Sequence, residues 1–438
     1  MHMKTIPIPY GRDYLNLHIS EENLIEEIYA KTDEYVPEKS ETELIRDALH
    51  TPIGTPPLVD LAKGKNRVVI ITSDHTRAVP SKITLPILLN EIRQGSPSAD
   101  ITILIATGLH RATTVQEQRQ MFGDEIVDHE KIIVHNAFAP DGFADLGALP
   151  SGASCLVNQI AVDCDLLISE GFIEPHFFAG FSGGRKSVLP GICAARTVNQ
   201  NHSYPAIAAP HAKAGVLNGN PIHLDMVEAA HRAKLAFILN VALNGKKKVI
   251  RAFAGDMEQA HQQGVRFVRD LAETPARTAD IVITSNGGYP LDQNLYQAPK
   301  AAATAEACAG EDGIIILCAS CLDGFGGNHF KEMIVDGSPE QIDRKLSEIA
   351  PDQTISEQWC VQIFARILKK HKMILVSTLP ADTVRTANMI PAESVDEALE
   401  IALNEKGRQA SVLVIPDGVA VLAVSKEVQS DGNCPLGK

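Results

Sequence analysis

Three apolar runs in the 438-residue chain each end in a cluster of ionisable side chains. After RVVIIT come Asp74, His75, Thr76 and Arg77. After ITILIAT come Gly108, His110 and Arg111. After DLLIS comes EGFIEPHFFAGFSGGRKSVLPG, with Glu170, His176, Arg185 and Lys186, and RTVNQNH then adds Arg196 and His202. Histidine titrates near neutrality and can take and return a proton, while a neighbouring Arg or Lys can hold an anion. Each residue alone also has a plainer reading. His110 suits a helix cap or a core, His75 a local turn with Asp74, and His176 a packed loop before Phe177 and Phe178. Arg77 and Arg111 suit solvated surface. Convergence is the argument for a site, because ligands of open α/β sheets sit at the carboxyl ends of strands. His129, His211, His223, His231 and His261 lack such placement and read as structural.

The stretch FSGGRKSVLPG (181–191) looks like a phosphate loop and fails as one. G-x-x-x-x-G-K-[ST] requires glycine before the lysine, and Arg185 stands there. A G-x-G-x-x-G fingerprint is absent too. Ser182, Gly183 and Gly184 still allow close backbone approach, and their N–H groups could bind a phosphate beside Lys186. A structural zinc takes four Cys or His ligands. His110, His176 and His202 are far apart in sequence and no H-E-x-x-H occurs, so the chain is expected to give only one or two ligands to a metal held mostly by something else. Of the 8 cysteines only Cys318 and Cys321 form a C-x-x-C, at the end of the apolar run GIIILCASC. Buried free thiols are the expectation there, rather than a redox or metal pair.

The elements that must position these residues are short apolar runs separated by helix-like segments. RVVIITSD (67–74), DITILIATG (100–108), KIIVHN (131–136), CDLLISEG (164–171) and FILNVALN (237–244) are near-continuous rather than alternating, which marks strands covered on both faces in a parallel sheet. SKITLPILLNEIRQ (81–94) supplies a connecting helix. The pattern resumes in DIVITSNGG (280–288), GIIILCAS (313–320), MILVST (373–378) and SVLVIPDG (411–418), after a helical stretch at 256–273. The expectation is an α/β chain of two domains with mainly parallel sheets and an active-site cleft between them. Residues 1–272 form the N-terminal catalytic and cofactor-binding domain, 279–418 the C-terminal domain, and 419–438 a frayed tail. A net charge of −14 without a basic block argues against nucleic acid and anionic membranes, and requires a local cation cluster if the substrate is an anion. No apolar run reaches the roughly 18 residues of a membrane span, and MHMKTIPIPYG lacks a signal-peptide core. A cytoplasmic location is expected.

Together these motifs resemble the nickel-pincer lactate racemases and their 2-hydroxyacid racemase and epimerase relatives. The resemblance rests on SDHTR (73–77), ATGLHR (106–111), EPHFFAGFSGGRKSVLPG (174–191), VNQNH (198–202) and LDQNLYQAPK (291–300), and spans roughly the whole chain. It implies two α/β domains and a cofactor of the pyridinium-3,5-bisthiocarboxylic acid mononucleotide type, whose arms hold nickel in a sulfur–carbon–sulfur pincer. It implies that His202 is the protein ligand to nickel, and that Lys186 is the anchor lysine, joined to the cofactor through a thioamide in some relatives. Asp74 and Arg77 match positions that contact cofactor or substrate, with Gly183 and Gly184 beside the cofactor. His110 and His176 match two catalytic bases. Tyr296, Gln297 and Lys300 match substrate-side residues of the second domain, and Trp359 is a further residue expected at the cleft.

The implied chemistry suits these residue types. The C2 proton of a 2-hydroxy acid is weakly acidic, so transient oxidation to a 2-keto acid avoids a carbanion. A base takes the hydroxyl proton as hydride leaves C2, and the hydride returns to the other face. Two faces call for two bases. Arg77 and Lys300 would hold the carboxylate, and the cofactor would carry the redox step. The expected substrate is a small anionic 2-hydroxy acid, lactate or another short 2-hydroxycarboxylate. The alternative is a larger one: malate, an aromatic or a sugar acid. The holo form would need cofactor-synthesis proteins. More distant rivals are a zinc hydrolase built on the three histidines and a phosphate-loop nucleotide-binding protein.

Overall fold

The structure is a computed structural model that describes residues 2–425. The chain opens with an antiparallel hairpin, β1 (Met3–Tyr10) and β2 (Asp13–Ser20). Ile6 and Ile8 alternate with more exposed neighbours, as do Leu17 and Ile19, so one face is buried and the other solvated. A short strand, β3 (Leu24–Glu27), follows.

Residues 31–271 with 351–354 form one α/β unit. It contains β4 (Arg67–Ser73), β5 (Asp100–Ala106), β6 (Lys131–Val134), a hairpin of β7 (Phe143–Ala148) and β8 (Ser154–Asn158), β9 (Leu166–Phe172), a minimal hairpin of β10 (Pro175–His176) and β11 (Gly180–Phe181), β12 (Leu235–Leu243) and β13 (Val249–Gly255). The main sheet has the order β13-β12-β9-β4-β5-β6. All its pairings are parallel except β12–β13. The five consecutive buried residues of β4 and of β5 account for the continuous apolar runs: helices cover both faces of these strands. The helix Ser81–Gly95 buries Leu85, Leu88, Leu89 and Ile92 in the same core as Val68, Ile70, Ile103 and Ile168.

Among the described residues, 2–30, 272–350 and 355–425 form the second unit. Its strands are β14 (Glu273–Ala276), β15 (Ala279–Ser285), β16 (Ala309–Cys318), β17 (Lys372–Val376), β18 (Ile390–Ala392), β19 (Val412–Ile415) and β20 (Leu422–Ser425). The main sheet is wholly parallel, in the order β18-β17-β16-β15-β19-β3.

Two boundaries differ from the sequence expectation. Residues 2–30 group with the second unit rather than with the N-terminal stretch. β3 pairs with β19, Leu24 opposite Val412, and Ile6, Ile8, Leu17 and Ile19 share a core with Ile281, Ile316 and Val414. The segment expected as a tail from 419 contains β20, which pairs in parallel with β14; residues 426–438 lie outside the described residues. Among the described residues no helix is long and apolar enough to cross a membrane.

Leu17 is fully buried in the second unit's core. Leu17→Ala should destabilise that unit by about 3 kcal/mol. Hydrogen exchange should quicken in β15 and β19 and stay unchanged in β4 and β9; faster exchange confined to β4 and β9 would contradict the assignment of the hairpin.

Candidate active site

In the first unit the strand order reverses between β4 and β9. β5 and β6 lie on one side of β4, and β9 and β12 on the other. Loops leaving adjacent strands in opposite directions open a crevice at their carboxyl ends. The segments after β4, β5 and β9 are the ones that carry the predicted chemistry.

Asp74 and His110 meet there. His110 Nδ1 lies 2.7 Å from Asp74 Oδ2, while the Thr76 hydroxyl and amide donate to Asp74 Oδ1 at 2.6 and 3.0 Å. Asp74 is only 1% exposed. Burial pushes its carboxyl up, but the charge and hydrogen bond of His110, the Arg77 charge and the Thr76 hydroxyl outweigh this and hold it well below the usual carboxylate range. An ionised Asp74 accepting at Nδ1–H leaves the other ring nitrogen, Nε2, as the lone-pair site. His75 and Arg111, from the same strand ends, turn elsewhere. His75 Nδ1 contacts the Thr113 hydroxyl at 3.1 Å, and Arg111 Nη1 pairs with Glu117 at 2.9 Å. Arg196 is exposed.

Glu170 lies on β9. It is buried and accepts hydroxyl protons from Thr72 and Ser81, each at 2.5 Å, and from Thr84. Burial raises its pKa against the pull of those three hydroxyls. Its partners flank the 73–80 loop on both sides, so Glu170 braces the loop that carries Asp74 and Arg77.

His176 lies in the β10–β11 hairpin, where its Nδ1 accepts the Ala179 amide at 3.3 Å. Its ring stacks on Phe177 with centroids 4.9 Å apart and meets Phe178 edge-to-face at 4.6 Å. Phe178 also meets His202 edge-to-face at 5.0 Å, and Lys186 Nζ lies 5.7 Å from the Phe178 centroid. One buried ring thus has three predicted functional residues around it. His202 caps the helix Ala195–Asn201 and is 3% exposed. Burial first, then the Lys186 charge, lowers its pKa to about 3, so the ring is neutral. The Lys186 backbone is tied to β5's loop: Gly191 N–H donates to Lys186 O at 3.2 Å, and Gly108 N–H to Gly191 O at 3.0 Å.

The glycines between serve packing more than an open anion cradle. Gly184 N–H donates to Asn240 Oδ1 at 2.7 Å, and Ser182 N–H to Glu174 O at 2.9 Å. Gly183 and Gly184 have φ of +80° and +53°. A Cβ at Gly183 would lie 2.7 Å from Asn240 Oδ1, and one at Gly184 3.0 Å from the His261 ring. Arg185, the residue that breaks the phosphate-loop motif, is fully buried, and burial lowers its pKa to about 9. His223 Nδ1 accepts from Arg185 Nε at 3.0 Å, which requires a neutral ring; burial and the Arg185 charge lower the His223 pKa to about 3. Sequence reasoning set His223 and His261 aside, gave Thr76 no role of its own, and did not identify Asn240, whose role depends on a contact distant in the chain.

In the second unit, Tyr296, Gln297 and Lys300 follow β15. Asn294 caps the turn by accepting Gln297 N–H at 3.3 Å, and Lys300 opens the helix Pro299–Glu306. Trp359 is buried and donates Nε1–H to the Tyr296 hydroxyl at 3.1 Å. Burial pushes that hydroxyl well above its ordinary pKa. Cys318 and Cys321 are buried free thiols.

A nickel-pincer cofactor fits these residues. Among the described residues no group of three or more His, Cys, Asp or Glu could hold a metal. A single buried, neutral imidazole beside a lysine suits a metal whose other ligands come with an organic group. The same donor set does not suit a three-histidine zinc hydrolase.

The fold and site define an α/β protein with a carboxylate-backed histidine at a strand-order reversal and a second histidine cluster beside a lysine. Comparisons with known proteins agree on its relatives. The family model for the lactate racemase N-terminal domain matches residues 10–215, and that for the C-terminal domain matches 274–423. A lactate racemase of Thermoanaerobacterium thermosaccharolyticum is 47% identical over 426 residues, covering 97% of this chain and all of the relative. A lactate racemase of Lactiplantibacillus plantarum is 47% identical over 423 residues, covering 96% of this chain and all of the relative. The solved lactate racemase apoprotein from T. thermosaccharolyticum superposes with a TM-score of 0.92 at 46% identity, over 96% of this chain and all of that one. A Thermotoga maritima structure, 19% identical with a TM-score of 0.67 over 88% of this chain and 98% of its own, shares the fold. The chain belongs to the lactate racemase family.

Asp74 ionises more readily folded than unfolded, so on acidification the unfolded chain takes up more protons. Its stabilisation is present above about pH 4 and is lost as pH falls below that. Asp74→Asn should cost about 3 kcal/mol at neutral pH, with the gap to the parent protein narrowing below about pH 4 in urea unfolding. A gap unchanged down to acid pH would contradict an ionised Asp74.

Proposed function

We propose that the chain interconverts the enantiomers of a short 2-hydroxy acid, lactate foremost, with a nickel-pincer pyridinium mononucleotide bound beside Lys186 and His202. The observation that carries this reading is the 2.7 Å Asp74–His110 contact at the strand-order reversal, which backs one histidine as a base. Membership of a family whose relatives are named lactate racemases supports the reaction. Loading would depend on the proteins that make the cofactor.

A cofactor held beside Lys186 and His202 would supply the hydride chemistry at C2. The chain's residues handle protons, position and water. His110 Nε2 accepts the hydroxyl proton, and Asp74 stabilises the imidazolium that results. The Thr76 contacts keep Asp74 aimed at Nδ1, so the ring cannot turn its basic nitrogen away. His176 serves the opposite enantiomer. Its Nδ1 accepts the Ala179 N–H, so Nε2 is the nitrogen left to exchange a proton with the substrate. Arg77 is assigned to the substrate carboxylate, which leaves C2 free to turn. The assignment of Tyr296, Gln297 and Lys300 to the substrate rests on the LDQNLYQAPK motif. Phe177, half-buried and stacked on His176, favours a small apolar substituent over a second carboxylate such as that of malate.

His110→Ala and His176→Ala should each lower racemisation by roughly 100-fold or more, the usual worth of a positioned base, with nickel content unchanged. Full activity in either variant would remove the two-base assignment. His202→Ala should lose nickel; stoichiometric nickel in that variant would overturn the ligand assignment. Chiral chromatography of lactate, malate and an aromatic 2-hydroxy acid should show the fastest turnover with lactate.

A further inference from the structure

Arg185 is the largest fully buried side chain described, and its hydrogen-bond partners are carbonyls and two imidazoles, His223 and His261, rather than a carboxylate. Burying a cation without an anionic partner is costly, so its hydrogen bonds must be well made. They converge on one short segment. Nη2 donates to Ala179 O at 2.9 Å, Nη1 to Gly183 O at 3.0 Å and, more weakly, to Ser182 O at 3.4 Å, while Nε donates to His223 Nδ1 at 3.0 Å.

Two of these carbonyls belong to residues that hold predicted functional residues. Ala179 accepts from Arg185 through its carbonyl oxygen, and its N–H, in the preceding peptide unit, donates to His176 Nδ1 at 3.3 Å. The Gly183 oxygen accepts from Arg185 and also from the Lys186 amide at 3.2 Å. His261 reinforces the same turn, with Nε2 2.8 Å from Ser182 O, and its ring fills the space a Cβ at Gly184 would take. The planar fork of a guanidinium can hold several carbonyls at fixed angles, which an ammonium cannot.

We propose that Arg185 is a positioning residue that sets both His176 and Lys186, through the Ala179 and Gly183 carbonyls it holds. The proposal rests on the reading of those two residues as base and cofactor anchor, yet the geometry it claims can be measured without cofactor. It also gives position 185 a role in which glycine, the residue a phosphate loop would carry there, cannot substitute.

The test compares the cofactor-free full chain with its Arg185→Lys, Arg185→Met and His223→Ala variants. Amide exchange across 179–187 and the rate at which an amine-reactive reagent labels Lys186 are followed by peptide mass. Strands β4 and β5 serve as internal controls. Arg185→Lys and Arg185→Met should both speed exchange and change the labelling rate by roughly tenfold or more, as local opening does when a buried polar anchor is lost, with the controls unchanged. Lysine should fail to rescue. His223→Ala, which keeps three carbonyl contacts, should give a smaller change of the same kind, and it serves if the Arg185 variants do not fold. Parent-like exchange and labelling in Arg185→Met, or full rescue by lysine, would overturn the proposal. If the segment loosens but intact-mass analysis after co-expression with the synthesis proteins shows normal cofactor capture, the positioning role stands and the reading of Lys186 as anchor fails.

Discussion

The site depends on a buried carboxylate held ionised. Asp74 lies at the end of a strand whose neighbours run to opposite sides, and it is nearly inaccessible to water. Burial alone would neutralise it. His110, Thr76 and Arg77 reverse that outcome, and in doing so they fix the imidazole's tautomer and direction. Glu170 carries the constraint one layer deeper: its hydroxyl partners stand immediately before and after the 73–80 loop. A carboxyl under the sheet's edge thus braces the loop that presents a carboxylate at the edge.

The second histidine is held by different means. A backbone amide and two phenylalanine rings hold His176, and a buried arginine holds the Ala179 carbonyl beside it. The two histidines are therefore unlike in their resting hydrogen bonding. His110 meets a carboxylate at Nδ1, whereas His176 Nδ1 accepts a backbone N–H. The chain's net charge is −14, yet Arg77 and Lys186 stand in the segments that follow β4 and β9. That local reversal of sign is what an anionic substrate needs from an acidic protein.

Much of this was legible in the residues. Continuous apolar runs located most strands of both main sheets because full burial leaves no polar face to alternate, and missed β3, β13 and β18; strand ends singled out Asp74, His110 and His176. Other features were illegible because they depend on partners far away in the chain. β3 pairs with β19 from the far end of the chain, and β14 with β20 across a shorter but still long gap. No local pattern encodes such pairings. The glycines at 183 and 184 suggested an anion cradle, but Asn240 takes the Gly184 amide and His261 fills the space beside it. Arg185 was visible only as the residue that spoiled a motif. Its partner His223 is 38 positions away and carried no signal of its own.

The central claim is that C2 gives up a hydride rather than a proton. It is tested most directly with lactate carrying deuterium at C2, incubated with the cofactor-loaded protein in ordinary water. The label in the opposite enantiomer is then read by mass spectrometry after chiral separation. Hydride transfer and return predict that the product keeps its deuterium. Product that has exchanged its label for solvent hydrogen would mean that C2 was deprotonated, and would contradict the account.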